Sequence, residues 1–270
     1  MTTHAFIDIA AESRTDARVP PRAGRDWALF LDIDGTLLDI ASTPGSVRVP
    51  PSLPRLVETI AGLLDGALAL VSGRAIADID RLFDPLALPT AGQHGGEIRP
   101  RAGGVARRVR AESAIDDHVR AGIERLARQA PRIRVEDKGL SVAFHYRYAP
   151  QLREWLHRHL ERIATTAASP LRILEGRMVW ELLPVGHDKG TAVDEFMRAP
   201  PFLGRVPIFV GDDVTDEDGC LAAIRHGGHA LRVGPRRVLD RPIAFADPGA
   251  VRHWLAQLPA MLLAPDACRT

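Results

Sequence analysis

Asp32-Ile33-Asp34-Gly35-Thr36 follows directly on an apolar run at residues 27–31. Two carboxylates at this spacing can both face a crevice if the strand carrying them has begun to turn. One can then attack phosphorus while the other handles the leaving group's proton. Gly35 lets backbone approach closely, and Thr36 adds a hydroxyl. A capped strand-to-helix turn with solvated acids has the same local sequence. Ser72-Gly73-Arg74 places a hydroxyl and a glycine where backbone N–H groups at a helix start can bind phosphate; an ordinary helix N-cap looks identical. Lys189-Gly190, after the turn Gly186-His187-Asp188, could neutralise a phosphoryl oxygen, and the competing reading is a solvated surface lysine. Residues 212–218 carry five acids, Asp212, Asp213, Asp216, Glu217 and Asp218. Their mutual repulsion calls for a cation, and oxygen donors suit Mg²⁺. Helix capping by Thr215 or Asp216 is the alternative.

The elements that must position these groups can be read from hydrophobic patterning. Residues 27–31, 67–71 and 207–211 are continuous apolar runs, which suits strands covered on both faces of a parallel sheet. Each is followed at once by a polar residue: Asp32, Ser72 and Asp212. In open parallel sheets the site lies outside the carboxyl ends of the strands, so groups remote in sequence can converge there. Leu53, Leu56, Val57 and Ile60 predict one helix between the runs, and Ile76, Ile79, Leu82 and Phe83 another. The middle of the chain differs. Ile115, Val119, Ile123 and Leu126 predict a helix, followed by strands at 132–136 and 141–148. Leu152, Leu156, Leu160 and Ile163 predict a second helix, followed by strands at 171–175 and 178–182. Helix-strand-strand occurring twice indicates an α/β layer with a mainly antiparallel sheet. The parallel pattern resumes with a helix from Gly190, the third run, and a strand near 230–233. The expected organisation is a tail at 1–25, poorly ordered and closed by Pro20-Pro21, a core at 26–110 and 184–262, and an inserted cap at 111–183.

Composition narrows the class. Hydrophobic residues make up 46% and charged residues 26% of 270, as in a globular protein, and the net charge is +1. That balance gives no broad attraction to nucleic acid or an anionic membrane, so an anionic substrate must be held by local groups. No apolar run approaches bilayer length. The N-terminus lacks the apolar segment of a secretory signal. Cys220 and Cys268 show no metal-site or disulfide spacing. A reducing, cytoplasmic setting is the expectation.

The four motifs, taken in this order, resemble the haloacid dehalogenase-like phosphatase superfamily. The resemblance implies a Rossmann-like α/β core with a parallel sheet, plus the inserted cap. It implies that Asp32 is the nucleophile and forms an aspartyl-phosphate, while Asp34 is the general acid that then activates water. It gives Ser72 and Lys189 to the phosphoryl group, with Gly35, Thr36, Gly73 and Arg74 around the substrate. It gives Mg²⁺ to Asp32, Asp212 and the backbone carbonyl of Asp34. Either Asp213 or Asp216 could complete that set. The long interval between Ser72 and Lys189 fits the cap, which the superfamily inserts between its second and third motifs.

The cap narrows the resemblance. Residues 135–141 leading into His145-Tyr146-Arg147 look like the cap of trehalose-6-phosphate phosphatases, as do residues 176–181 and Gly95-Gly96-Glu97-Ile98-Arg99. This implies that Glu136, Lys138, Arg147, Arg177 and Glu181 bind the disaccharide of trehalose 6-phosphate, with a functional link to a trehalose-6-phosphate synthase. His145 either binds substrate or orients Arg147. Arg177 stands where the family commonly has lysine, which keeps the charge and changes the geometry. With a period of two, Ser141, Ala143, His145 and Arg147 share one strand face, and Arg177, Val179 and Glu181 share another; an ordinary solvated face would read the same way. His94 could contact the site, but reads more readily as a satisfied histidine in a glycine-rich turn. Trp155 and Trp254 fall on helical patterns as packing residues. The rivals are a phosphatase for another sugar phosphate of the sucrose-phosphate type, a phosphomutase, and a catalytically silent sugar-phosphate-binding module.

Overall fold

The computed structural model describes residues 19–41, 46–109, 115–176, 178–234 and 243–264. Most of the expected N-terminal tail (1–18), Arg177 and Cys268 lie outside these residues. Residues 19–25 form no helix or strand, yet Ala23 packs on the core.

The centre of the molecule is an eight-stranded sheet. Its strands are β1 (Trp27–Leu31), β2 (Leu68–Val71), β3 (Thr90–Gly92), β4 (Glu97–Arg99), β5 (Arg107–Arg108), β10 (Val206–Gly211), β11 (His229–Val233) and β12 (Ile243–Phe245). Their spatial order is β12-β11-β10-β1-β2-β3-β4-β5. The six strands from β12 to β3 are parallel, and β4 and β5 extend the edge antiparallel. All residues of β1 and β2 are buried, as the continuous apolar runs require. Helices cover the sheet: α1 (Leu53–Leu63), α2 (Ile76–Phe83), α5 (Lys189–Met197), α6 (Glu217–Arg225) and α7 (Pro248–Leu263). Phe30 of β1 meets Phe196 of α5 and Phe202 at ring-centre distances of 5.8 and 5.5 Å, which locks the helix that begins at Lys189 onto the central strand.

A second sheet has the order β6-β7-β9-β8, all antiparallel. Its strands are β6 (Arg134–Asp137), β7 (Val142–His145), β8 (Leu171–Gly176) and β9 (Val179–Pro184); α3 (Asp117–Gln129) and α4 (Arg153–Thr165) cover one face. Val119, Ile123, Leu126, Leu156 and Leu160 from the helices pack on Val142, Phe144, Trp180 and Leu182, forming a hydrophobic cluster separate from that of the large sheet. Asp116 caps α3 by accepting the N–H of Val119. Two expected strands have different bounds from their patterns. β7 ends at His145, and β9 begins only at Val179 because Met178 adopts a left-handed φ of 60°. Trp254 is buried among Trp27 and Phe245, and Trp155 stacks on His159. No helix among the described residues is long and apolar enough to cross a membrane.

The unexpected elements are β3, β4, β5 and β12. Strands of two or three residues are too short to show a period and exist because a neighbour supplies the pairing.

Candidate active site

Parallel pairing of β2, β1 and β10 sets Ser72, Asp32 and Asp212 side by side at the carboxyl ends of three central strands. Asp32 is 4% exposed. After it the chain turns tightly: Gly35 has φ +92°, and a Cβ there would collide with the carboxylate of Asp212. Glycine is therefore required, both by conformation and by the packing of the second aspartate. Thr36 is fully buried, and its hydroxyl donates to Asp212 at 3.5 Å.

Lys189 enters from the start of α5, where Asp188 and Thr191 form a reciprocal cap. Its ammonium donates to Asp32 at 2.7 Å and to Asp216 at 2.6 Å, and it is only 3% exposed. The other oxygen of Asp216 accepts the N–H groups of Asp212 and Asp213, both at 3.0 Å. Gly211 makes this fold-back possible, since a Cβ there would strike the Asp216 carboxylate. Asp34 is held by Arg74 through two hydrogen bonds of 2.5 and 2.7 Å.

Over this floor sits one face of the smaller sheet. Glu181 is 8% exposed and bound from several sides. Lys138 donates to both of its oxygens at 3.2 Å, Ser141 donates at 2.5 Å, and the His94 ring lies 3.4 Å away. Lys138 also reaches the carbonyl of Gly73 at 3.4 Å, tying the cap to the floor. His145 pairs with Glu136 at 2.9 Å. Ala143 stands opposite Glu181, and both are buried, because the large domain covers this face. The solvated-face reading of these strands therefore fails where β7 and β9 cross the cleft.

Charge balance shows what the floor lacks. Asp32, Asp212 and Asp216 bring carboxylate oxygens within 4.8 Å of one another. Three negative charges against one ammonium leave a surplus of two, in a site nearly closed to water. Burial first, and then Asp216 and Asp212, raise the Asp32 pKa well above the ordinary carboxylate range, against the opposing pull of Lys189. Burial would lower the Lys189 pKa, but Asp216 and Asp32 outweigh it and hold the ammonium firmly charged. Burial likewise favours neutral Glu181, yet Lys138, His94 and Ser141 prevail and keep it ionised. A divalent cation fits this floor. Hard oxygen donors are what Mg²⁺ takes, and Asp32 and Asp212 can offer them, whereas both oxygens of Asp216 are engaged by Lys189 and two amides.

Asp32, Asp34, Ser72, Gly73, Arg74, Glu136, Lys138, His145, Arg147, Glu181, Lys189 and Asp212 all line one cleft, with Asp213 and Asp216. Two further residues expected at the substrate, Gly35 and Thr36, are buried against Asp212, which they shape, and do not themselves line the cleft. His94 takes the site-facing one of the two places its sequence allowed. It lines the cleft, touches Glu181, and leaves its Nδ1 buried with no hydrogen bond among the described residues. The signal available was a histidine inside the Gly92–Gly96 stretch, but its ring position depends on a left-handed φ of 55° that the sequence does not announce.

A model of the trehalose-phosphatase family matches residues 30–228. A probable trehalose-phosphate phosphatase of Sinorhizobium fredii is 44% identical over 210 residues, which is 78% of this chain and 78% of the relative. The chain belongs to the trehalose-phosphatase family. The trehalose-6-phosphate phosphatase of Escherichia coli is 37% identical over 214 residues, covering 79% of this chain and 80% of the relative. A haloacid dehalogenase-like hydrolase from B. subtilis superposes with a TM-score of 0.60 at 15% identity, over 86% of this chain and 99% of that one, which shows a shared fold. The family match runs from inside β1 to just before β11, so it includes every cleft residue named above.

Proposed function

We propose that this chain hydrolyses trehalose 6-phosphate to trehalose and inorganic phosphate through an aspartyl-phosphate on Asp32. The observation that carries the reading is vertical alignment. A buried carboxylate–ammonium floor lies directly beneath a cap face that presents Glu136, Lys138, Arg147 and Glu181 into the same cleft. Phosphate chemistry fits the floor, and a ligand dense in hydroxyls fits charged donors and acceptors above it. The names of the relatives agree with this pairing.

In this mechanism an Asp32 oxygen attacks phosphorus and the bond from phosphorus to the sugar oxygen breaks. Asp34 donates a proton to the departing sugar oxygen. It then takes a proton from water, which attacks the phosphoryl group, releases phosphate and regenerates Asp32. Both oxygens of Asp34 accept from Arg74 in this structure, so the proton transfer requires Arg74 to exchange Asp34 for the arriving phosphoryl oxygens. Ser72 and Lys189 hold those oxygens. Mg²⁺, held by Asp32, Asp212 and the backbone carbonyl of Asp34, would supply positive charge where attacking carboxylate and phosphate repel. Asp216 keeps Lys189 aimed at Asp32. The substrate would come from a synthase that makes trehalose 6-phosphate.

Phosphate release from a panel of sugar phosphates tests the substrate. Trehalose 6-phosphate is expected to be strongly preferred; equal rates across the panel, or a preference for sucrose 6-phosphate, would reject the assignment. Chelator is expected to abolish turnover and Mg²⁺ to restore it. Saturating Mg²⁺ at about 100 times its dissociation constant should stabilise the fold by about 2.7 kcal/mol, read as a rise in melting temperature. Full activity in EDTA, with no thermal shift, would remove the metal from the site.

Cap and floor can be separated with two substrates. Glu181→Ala and Arg147→Ala each remove a charge-assisted hydrogen bond worth roughly 1.5–3 kcal/mol. A loss of about ten- to a hundredfold in kcat/KM is expected on trehalose 6-phosphate, and much less on p-nitrophenyl phosphate, whose leaving group never meets the cap. Equal losses on both substrates from a well-folded Glu181→Ala protein would make that residue structural.

A further inference from the structure

The floor and the cap are joined through two consecutive residues, Gln93 and His94. Both are non-glycine residues in the left-handed region, with φ of 47° and 55°. Their main chain grips the phosphate-binding turn: Gln93 N–H donates to the Arg74 carbonyl at 2.8 Å, and His94 N–H to the Ser72 carbonyl at 3.0 Å. Their side chains grip the cap. The Gln93 side-chain carbonyl accepts the N–H of Leu140 at 3.0 Å, and His94 Nε2 lies 3.4 Å from Glu181.

The His94 ring occupies the space that a side chain at position 73 would fill, since a Cβ on Gly73 would lie 2.6 Å from Nε2. Gly73 therefore serves the histidine as well as any phosphate. The ring is 9% exposed, and its Nδ1 is buried with no hydrogen bond among the described residues. Backbone strain and an unsatisfied buried nitrogen are both unfavourable, and such features persist where the surrounding structure over-determines them. What offsets them here is the approach of the ring to Glu181. Lys138 and Ser141, which also bind Glu181, belong to the cap. His94 reaches it from the large domain.

We infer that His94 is a positioning residue that registers the cap's Glu181 against the Ser72-Gly73-Arg74 turn, so that sugar capture and phosphoryl binding occur in one fixed geometry. The inference rests on the reading that Glu181 meets the sugar. His94 acts through Glu181 and need not touch the reacting atoms.

Amide side chains can imitate either ring nitrogen: glutamine places nitrogen near Nε2, asparagine near Nδ1. Asparagine also tolerates the left-handed backbone. His94→Asn should keep its melting temperature and lose about tenfold or more in kcat/KM on trehalose 6-phosphate, with kcat falling as well as KM rising, because a misregistered cap closes less productively. On p-nitrophenyl phosphate it should change by less than about threefold, well under the tenfold that 1.4 kcal/mol represents. His94→Gln should recover most of the loss. In the Glu181→Ala background, His94→Asn should have no further effect, since residues acting as one unit are non-additive. If His94→Asn does not fold, His94→Gly, which is at ease at this φ, replaces it in every comparison. Equal losses on both substrates, equal behaviour of the asparagine and glutamine variants, or additive losses with Glu181→Ala would each overturn the inference while leaving the substrate assignment standing. Wild-type protein inactive on trehalose 6-phosphate would overturn both.

Discussion

Asp32→Asn is expected to fold and to lose turnover on trehalose 6-phosphate and p-nitrophenyl phosphate alike, by roughly three orders of magnitude or more. Asparagine keeps the shape of aspartate, and its carbonyl can still accept from the Lys189 ammonium, which now lies 2.7 Å from Asp32 Oδ1. What disappears is the attacking charge. The same substitution removes one of three crowded carboxylates, whose repulsion adds to burial in raising the Asp32 pKa. The metal-free variant should therefore melt no lower than wild type. Its thermal gain from Mg²⁺ should shrink, because a donor to the cation is gone. Steady-state kcat on both substrates and acid-quenched capture of phosphoprotein check the chemistry, and melting curves check the fold. Retention of more than a few per cent of activity, or an undiminished phosphoprotein signal, would place the nucleophile elsewhere.

Lys189→Met should be damaging in two separable ways. Lys189 lies between Asp32 and Asp216 and is 3% exposed. Removing one partner from a buried ionic cluster leaves uncompensated charge and costs about 3–5 kcal/mol. For a protein of this size that is roughly 6–20 °C in melting temperature, at about 2–4 °C per kcal/mol. Turnover should collapse on both substrates, since the ammonium serves the phosphoryl group they share. Lys189→Met/Asp216→Asn removes a carboxylate together with its cation, so much of the lost stability should return while activity does not. If the double variant regained turnover, Lys189 would be a structural counter-ion only. If Lys189→Met melted like wild type, the pairing of this ammonium with two buried carboxylates would be wrong.

Much of the framework was open to reading along the chain. The runs at 27–31, 67–71 and 207–211 became β1, β2 and β10, and the polar residues that follow them meet in one cleft. This was legible because a strand covered on both faces must be apolar at every position, and the first polar residue marks where cover ends. Helix periodicity likewise anticipated α1 to α4. The short strands beyond β2 were not legible: β3, β4 and β5 have three, three and two residues, and pairing, not pattern, makes them strands.

Site identities divide in the same way. Asp32, Ser72 and Asp212 sit where local sequence puts them, at strand ends in a parallel sheet. Lys189 taken alone read more readily as a solvated lysine; its burial between two carboxylates depends on α5 packing against β1 through Phe196 and Phe30. Glu181 and Ser141 lie on a strand face that alternation shows only as polar. Docking of that face over the floor makes them buried, and forces each to find a partner from another element.

The chain's own sequence thus determined which residue types stand at the ends of which buried strands, because hydrophobic periodicity is a local property that burial enforces residue by residue. Tertiary structure alone decided the pairings: Arg74 on Asp34, Asp216 on Lys189, and His94 on Glu181. The physical reason is that an ion pair or hydrogen bond is a matter of a few ångströms between side chains, here 87 positions apart for His94 and Glu181. That distance is set by how whole layers pack, and no local propensity encodes it.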